Sequence, residues 1–306
     1  MAPAPGSAYL ARPAHAPLRR RGSSWGDIAS ELILTGGPYR LVGLAAAQAQ
    51  SLTDRFGEAI RESVTAAREA VDVRVFRRTV PSFRWPDLRG CEYEPELTYA
   101  PRELLMAGLG MLGSLRLGPR AAAALWTCHP GGEPFAGAVE NLLRALCCYR
   151  ALERDGVLLH SAAVLVDGEA WVAVASSGGG KTTFARMCAG AGLTVLSDDL
   201  NAVFVEGQRV LVEQVPFAGD LGRQRSVAGR FPLVGLCLLT KGDSDSLCDV
   251  GVAAAVASLL AHAPVVNADP WRAGGLTELA ARLADRCRVA RLTFALNGRP
   301  WSILHR

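Results

Sequence analysis

The fold class of this chain is decided by residues 169–192, EAWVAVASSGGGKTTFARMCAGAG. The first seven residues form an apolar run typical of a buried strand, and a short loop of serine and glycine follows them. From Lys181 onward, apolar side chains recur at helical spacing until a pair of glycines that suits a helix end. This succession of strand, glycine loop and helix predicts an α/β fold.

The loop has a composition suited to wrapping phosphates. Residues 175–182 satisfy the pattern G-x-x-x-x-G-K-[ST], except that Ala175 stands where the first glycine is expected. The three glycines at 178–180 allow backbone N–H groups to turn inward and form an anion-binding nest. Lys181 would reach the β- and γ-phosphates of a nucleotide, and Thr182 would place its hydroxyl on Mg²⁺. The alternative is a Gly/Ser linker that binds nothing.

Lysine usage supports a functional role for Lys181. The chain contains 33 lysines and arginines together, and only Lys181 and Lys241 are lysines. A sequence so biased to arginine that keeps a lysine after the glycines uses an ammonium where a planar guanidinium would fit badly. The composition therefore favours phosphate binding over a linker.

A β-hairpin is predicted immediately before the loop. The apolar runs at 157–166 and 169–175 are joined by an Asp-Gly pair, a strong signal for a two-residue hairpin turn. If the residues that flank this turn face each other, His160 lies opposite Ala175. That register would bring His160 to the mouth of the phosphate site. The alternative is a histidine whose ring is satisfied within the core.

Two adjacent carboxylates follow the next predicted strand. TVLSDD (194–199) indicates a short buried strand that ends in Asp198 and Asp199. Strand, helix and strand in succession predict a right-handed crossover between parallel strands, whose C-terminal ends share one edge. The carboxylates would then emerge beside the loop, where one can accept a proton from an attacking hydroxyl and the other can orient a metal. The alternative is a solvated Asp-Asp turn.

The rest of the chain is predicted from periodicity and turn signals. A polar loop over 216–232 carries Asp220 and three arginines, Arg223, Arg225 and Arg230, which either stabilise transferred charge or are simply solvated. The predicted strands are 39–43, 71–77, 201–207, 208–215, 233–240, 288–296 and 301–304, and the predicted helices are 57–70, 136–154, 251–261 and 274–286. Residues 81–101 are predicted to be loops and short strands.

Composition and charge restrict the class of protein. Half of the 306 residues are hydrophobic, which is enough to bury a large core. We predict a disordered tail over 1–24, a mixed α/β region of unknown role over 25–135, and a catalytic domain over 136–306. The tail contains four arginines and no acidic residue, which equals the formal net charge of +4. Since the remainder is neutral, no nucleic-acid surface is indicated.

Hydropathy and cysteine spacing indicate a cytoplasmic protein without a membrane partner. The longest apolar stretch, 104–118, contains Arg116 and is shorter than a membrane span, so it is predicted to be core. The eight cysteines show no C-x₂-C spacing, which favours reduced thiols over a metal or disulfide framework. A homo-oligomer is compatible with the sequence.

The hairpin histidine, the glycine loop and the Asp-Asp strand together resemble the HPr kinase/phosphorylase family and its relatives in the phosphoenolpyruvate carboxykinase-like group of P-loop folds. The spacing carries this resemblance, because His160 lies 21 residues before Lys181 and Asp198 lies 17 residues after it. The similarity covers about residues 136–240. It implies an α/β P-loop kinase core of that type, which uses ATP and Mg²⁺.

The resemblance also implies roles for individual residues. Asp198 would accept the proton of the attacking hydroxyl, with His160 and Lys181 as further catalytic residues. Thr182, Asp199 and Asp220 would hold the metal. The residues that would bind ATP are Ala175, Ser176, Ser177, Gly178, Gly179, Gly180, Lys181, Thr182 and Thr183.

Shorter motifs resemble a narrower group. ENLLR, LLHSAA, SDDL, PFAGD and PLVGL look like the short HPr-kinase-related proteins found beside peptide-modification genes, including lasso-peptide kinases. The chain departs from the HPr enzyme at Ala175 and at Thr183, where that enzyme has glutamate, and it has no match to the Pro/Arg phosphorylase segment. These departures point away from HPr as the acceptor and from reverse phosphorolysis.

The sequence as a whole predicts an ATP-dependent kinase that phosphorylates a hydroxyl, with a serine or threonine of a peptide or protein as the expected acceptor. Two alternatives stay open. One is a regulatory ATP-binding module without transfer chemistry, and the other is a kinase for a small-molecule hydroxyl.

Overall fold

The computed structural model describes residues 22–62, 70–80, 83, 95–222, 227 and 229–304. Contacts within the chain divide it into two compact units, Met1–Leu146 and Cys147–Arg306. Each unit combines a sheet of parallel and antiparallel strands with helices, so the protein is mixed α/β. Most of the predicted tail, residues 1–21, lies outside the described residues.

The first unit is built on a sheet in which nine strands are described. Its elements are β1 (Ser23–Ser24), β2 (Ile28–Leu34), β3 (Gly37–Leu44), α1 (Ala46–Phe56), β4 (Ile60–Glu62), β5 (Val71–Arg77), β6 (Glu96–Ala100), β7 (Glu103–Gly108), β8 (Met111–Arg116) and β9 (Ala122–Thr127). The strand order is β4-β2-β3-β5-β9-β8-β7-β6, with β1 beside β5. The strands β3, β5 and β9 are parallel neighbours, and the other pairs are antiparallel.

The α-helix predicted over 57–70 is wrong where those residues are described, because Gly57–Ala59 make only a 3₁₀ turn. The helix of this region is α1, which is followed by Gly57 in the left-handed conformation at φ 53°. Residues 60–62 instead form β4 and pair with β2, and residues 63–69 lie outside the described part of the chain. Helix propensity does not separate the two segments, because the residues of α1 and those of 57–70 favour helix about equally. Pairing of residues 60–62 with β2 therefore decides the outcome.

The second unit begins within a long helix. This helix, α2 (Gly132–Leu152), crosses the division between the units. The elements that follow are β10 (Gly156–Val166), β11 (Glu169–Val174), α3 (Lys181–Gly190), β12 (Thr194–Ser197), β13 (Leu200–Glu206), β14 (Arg209–Gln214), β15 (Arg230–Lys241), β16 (Ser246–Asp249), α4 (Val252–Ala261), α5 (Ala273–Arg286) and β17 (Arg288–Phe294). Residues 301–303, predicted as strand, belong to a 3₁₀ turn that starts at Pro300, whose fixed φ suits the first position of such a turn.

Two long strands organise the sheet of this unit. The first half of β10 pairs with β13 and its second half pairs with both β11 and β12. In the same way, β15 pairs first with β14 and then with β11 and β17. The predicted hairpin register is confirmed, because Val166 pairs with Glu169 and Ser161 with Val174.

One face of this sheet is packed against α3. Ala162 and Val164 of β10 share a face with Trp171 and Ala173 of β11, as the two-residue period of strands requires. These side chains join a buried cluster with Phe184, Ala185, Cys188, Val195, Cys237, Leu292 and Phe294. Burial of such a cluster is what fixes the helix that follows the glycine loop on the sheet.

The parallel strands bring several loops to one edge of the second sheet. The strands β11, β15 and β17 are parallel, and β12 runs in the same direction because both it and β11 are antiparallel to β10. The segments after all four strands therefore emerge at the same edge, where α/β sheets bind their ligands. Among the described helices, none is long and apolar enough to cross a membrane.

Candidate active site

The glycine loop, residues 175–180, connects β11 to α3. Gly178 and Gly180 adopt left-handed conformations at φ 71° and 104°, which side chains disfavour. Gly180 also precedes the first residue of α3, so the positive end of that helix faces the loop. A helix leaves its first N–H groups without partners inside the helix, and these groups are available to an anion.

The departure from the glycine pattern at Ala175 has a steric explanation. A Cβ at position 179 would lie 2.6 Å from Cβ of Ala175 and 2.9 Å from the carbonyl oxygen of Ser176. The methyl group of Ala175 is therefore accommodated because residue 179 is glycine. The N–H of Gly179 also donates to the Ser176 carbonyl at 2.9 Å, which closes the loop into a tight turn.

Lys181 is turned back onto the loop. Its side chain is buried, and Nζ donates to the carbonyl oxygen of Ala175 at 2.8 Å. Burial lowers the pKa of Lys181 from its ordinary value, and the negative charges of Asp199 and Asp220 oppose that shift. An anion bound in the loop would act in the same direction as these carboxylates and favour the charged ammonium.

His160 lies at this edge, but with a different strand partner from the predicted one. The ladder between β10 and β11 stops at Ser161, and His160 pairs with Leu200 of β13 rather than with Ala175. Its side chain is 46% exposed within a strand that is otherwise largely buried, which excludes a core role. Nε2 of His160 lies 3.6 Å from Oδ1 of Asp199.

Asp198 is almost sealed from solvent. It is 3% exposed, and its Oδ2 accepts a hydrogen bond from the N–H of Leu221 at 3.1 Å. Its Oδ1 is buried without a hydrogen-bond partner among the described atoms. A Cβ at Gly219 would lie 2.3 Å from this oxygen, so only glycine permits the approach. An unpaired buried carboxylate oxygen is costly and is typical of sites that exchange protons or ligands.

A buried polar network holds the Asp pair from behind. The Ser197 hydroxyl accepts hydrogen bonds from the N–H groups of Asp199 and Leu200 at 3.2 and 3.3 Å. Asn201 donates to the carbonyl and the hydroxyl of Ser161 at 2.9 and 3.1 Å. The N–H of Ser161 in turn donates to the Asp199 carbonyl at 2.9 Å. This network fixes the turn that presents both carboxylates.

Asp220 connects the 219–222 turn to the start of α3. Oγ1 of Thr182 donates to Oδ2 of Asp220 at 3.2 Å, and Gly219 and Gly222 form an isolated bridge that closes the turn. The three residues predicted to hold Mg²⁺ supply two carboxylates, from Asp199 and Asp220, and one hydroxyl. No cluster of three or more His, Cys, Asp or Glu suited to a metal occurs among the described residues. Two carboxylates and a hydroxyl nevertheless fit Mg²⁺, which commonly uses one or two carboxylates and completes its shell with phosphates and water.

These groups line one cavity. It measures about 470 Å³, within the usual range of small-molecule sites. Its lining residues are His160, Ser177, Gly178, Gly179, Gly180, Lys181, Thr182, Thr183, Asp198, Asp199, Ala218, Gly219 and Asp220. Of the predicted site residues, only Ala175 and Ser176 are not in this lining. The cavity therefore joins the glycine loop to both members of the Asp pair.

The arginines of the polar loop do not line the cavity where they are described. Arg230 begins β15, pairs with Glu206 and Glu213, and its guanidinium lies 4.0 Å from the ring centroid of Phe204. It is therefore a structural residue of the sheet. Arg223 and Arg225 lie outside the described residues.

Two kinds of site residue escape prediction from the sequence. Ser161, Ser197 and Asn201 act through buried hydrogen bonds, and their signal is a polar side chain inside an apolar strand. Gly219 acts by the absence of a side chain beside Asp198, which no spacing pattern reveals. Both kinds support the Asp pair rather than the glycine loop.

Comparison with known proteins gives little independent support. No protein-family model and no curated protein sequence matches the chain. Among solved structures, it is similar to an HPr(Ser) kinase/phosphatase from Coxiella burnetii, with 10% sequence identity and a TM-score of 0.28. The match covers 48% of this chain and 90% of that protein. A TM-score this low leaves the function to be argued from the residues themselves.

Proposed function

We propose that the protein is a P-loop kinase, which transfers the γ-phosphate of ATP to a serine or threonine hydroxyl of a peptide or protein. The observation that carries this proposal is the single cavity that contains the glycine loop, Lys181, Thr182 and the Asp pair. Binding of phosphate alone would need only the loop and the helix end. Carboxylates in the same cavity supply the groups that phosphoryl transfer also needs.

The proposed reaction uses each of these groups once. The hydroxyl oxygen of the acceptor attacks the γ-phosphorus, and the bond from that phosphorus to the β–γ bridging oxygen breaks. The hydroxyl proton passes to the carboxylate of Asp198, and ADP leaves with the electron pair of the broken bond. Lys181 turns from the Ala175 carbonyl to the phosphates and stabilises their charge.

Two further roles complete the proposal. Thr182, Asp199 and Asp220 would hold Mg²⁺, which when bound neutralises phosphate charge. His160, at 3.6 Å from Asp199, would orient that carboxylate rather than take the substrate proton itself. ATP and Mg²⁺ are thus the expected ligands, and the cytoplasm is the expected compartment.

A regulatory ATP-binding module is the rival proposal, and one observation favours it. The carboxylate of Asp198 is held by Leu221 and covered by Gly219, so it is not open to an acceptor in this form. A kinase must therefore displace the 219–222 turn in its working cycle, whereas a module that only binds nucleotide need not.

The choice of acceptor rests on the sequence. The motifs that resemble HPr-kinase-related proteins beside peptide-modification genes support a peptide, and lasso-peptide kinases are the narrowest such group. A small-molecule hydroxyl is compatible with the same cavity, so the acceptor has to be found by experiment.

The test is transfer of labelled γ-phosphate from Mg·ATP to a peptide library that contains serine and threonine, with a matched library in which both are alanine. The kinase proposal predicts label in the first library only. Binding of Mg·ATP without transfer to any peptide or small alcohol would favour the regulatory module. Absence of Mg·ATP binding would contradict both.

A further inference from the structure

The cavity lacks positive charge for the ligand proposed to occupy it. Three carboxylates line it, from Asp198, Asp199 and Asp220, and Lys181 is the one lysine or arginine among the lining residues. A nucleoside triphosphate would bring further negative charge into this site, and a bound Mg²⁺ would offset only part of the total. Like charges at short range oppose binding unless cations compensate them. A second cation close to the loop would therefore have a clear electrostatic role.

Strand topology brings Lys241 to the same place. Lys241 is the last residue of β15 and pairs with Phe294, the last residue of β17. Since β15 is also the parallel neighbour of β11, Lys241 emerges at the edge from which the glycine loop starts. The sequence does not reveal that Lys241 lies near the glycine loop, because the two come together only through the pairing of β11 with β15.

The contact is with the last glycine of the loop. A Cβ at position 180 would lie 3.8 Å from Cε of Lys241 and 3.0 Å from Cζ of Phe294. Phe294 is buried and meets Phe184 of α3 edge to face, with ring centroids 6.2 Å apart, so it forms the floor beneath Gly180. Lys241 is exposed and lies beside Phe294, next to Gly180.

The charge of Lys241 is not used within the described part of the protein. No described carboxylate lies within salt-bridge distance of its ammonium, and it makes no hydrogen bond to a described residue. It is also one of the two lysines in a chain of 33 basic residues. A lysine carries a compact charge on a flexible stem, which can follow a phosphate chain without the fixed geometry of a guanidinium.

We propose that Lys241 is a second phosphate-binding residue of this site, acting beside Gly180 on the polyphosphate chain of the ligand. This inference rests on the proposed nucleotide binding but not on phosphoryl transfer. Lys181 and Lys241 then approach the ligand from different elements, Lys181 from the start of helix α3 and Lys241 from the end of strand β15. The recognised chemistry is the phosphate chain and not the base.

The test compares wild-type protein with Lys241→Ala, and uses Arg291→Ala as the matched control. Arg291 is an exposed cation on the neighbouring strand β17, without a described ion pair, so its removal changes the net charge equally. Calorimetric titration measures the Kd of Mg·ATP and of inorganic tripolyphosphate. Lys241→Ala should weaken binding of both about tenfold, whereas Arg291→Ala should change either less than about twofold, since exposed charges at a distance are screened by salt.

Each outcome bears on the proposal. An unchanged melting temperature for Lys241→Ala would show that folding is intact. Equal affinities of wild type and Lys241→Ala for both ligands would overturn the inference, as would a loss limited to ATP. A wild-type protein that binds neither ligand overturns the proposed function too. If binding depends on Lys241 but no phosphate is transferred, only the proposal that the protein is a kinase would be overturned.

Discussion

The glycine loop and the 219–222 turn lie on the same cavity but expose their chemistry very differently. In the loop, residues 176–178 are exposed, and the helix end behind them is ready to receive an anion. In the turn, the N–H of Leu221 holds Asp198 and Gly219 covers it. The side of the site proposed to bind nucleotide is thus open, whereas the side proposed to carry the chemistry is closed.

This difference separates binding from transfer. Substitutions in the loop should act on affinity and on turnover together, because the phosphates of the proposed ligand would contact the loop both before and during transfer. Substitutions that move only Asp198 should act on turnover and leave affinity almost unchanged, because that carboxylate belongs neither to the glycine loop nor to the proposed metal site.

Removal of the Lys181 ammonium should have the largest effect. Lys181→Ala should lower turnover by about 10³-fold or more and weaken ATP binding, since a cation that stabilises phosphate charge contributes on that scale. Single-turnover assays and calorimetric titration measure the two effects. Arg186→Ala, an exposed cation on the same helix, is the control and should behave as wild type. Wild-type affinity in the Lys181 variant would show that the loop does not bind phosphate.

A methyl group at Gly219 should lower turnover far more than it lowers affinity for ATP. Gly219→Ala forces Asp198 to move, because the added Cβ would lie 2.3 Å from Oδ1. We expect turnover to fall about 10²-fold, the scale for loss of a general base, and the free energy of unfolding to fall by about 1–3 kcal/mol. Affinity for ATP measured without Mg²⁺ should stay within about twofold, because Gly219 is not part of the glycine loop, whereas the Mg²⁺ requirement should rise because the added Cβ would also lie 2.9 Å from Cβ of Asp199.

Gly222→Ala is the matched control for this change. Gly222 is left-handed at φ 72°, and a Cβ there meets no atom within 4 Å. The substitution therefore strains the same turn without touching Asp198. If Gly222→Ala reduced turnover as much as Gly219→Ala, general distortion of the turn would explain the loss and the contact with Asp198 would not.

The Thr182 hydroxyl should have the smallest effect of the three. Thr182→Ala removes the donor to Asp220 and one proposed ligand of Mg²⁺, so half-maximal activity should need about tenfold more Mg²⁺. Mg²⁺ titrations at saturating ATP measure this shift. Thr194→Ala, which removes an exposed hydroxyl from β12, should leave the titration unchanged. An identical Mg²⁺ requirement in the Thr182 variant would remove this residue from the metal site.

The part of the site that local sequence determines could be predicted. The hairpin register before the loop follows from an Asp-Gly turn, and the start of α3 follows from glycines ahead of a helical repeat. The direction of β12 follows from the order of strand, helix and strand. All three depend on interactions within a short stretch of chain.

The parts that depend on distant pairing could not be predicted. Lys241 reaches the loop only because β15 pairs with β11, and Gly219 matters only because its turn packs on Asp198. The prediction of a helix over 57–70 is wrong for the same reason, because residues 60–62 pair with β2. Periodicity describes one segment at a time and does not show which distant segment will pair with it.

The most direct test of the division is single-turnover transfer of γ-phosphate by wild-type protein and by Asp198→Asn, with Kd for Mg·ATP measured on the same samples. Asparagine keeps the shape of Asp198 but cannot accept the proton. We predict equal Kd values and a rate of transfer, or of ATP hydrolysis if no acceptor is known, that is lower by about 10²-fold or more in the variant. Equal rates in the two proteins would contradict the account, because the sealed carboxylate would then have no part in the chemistry.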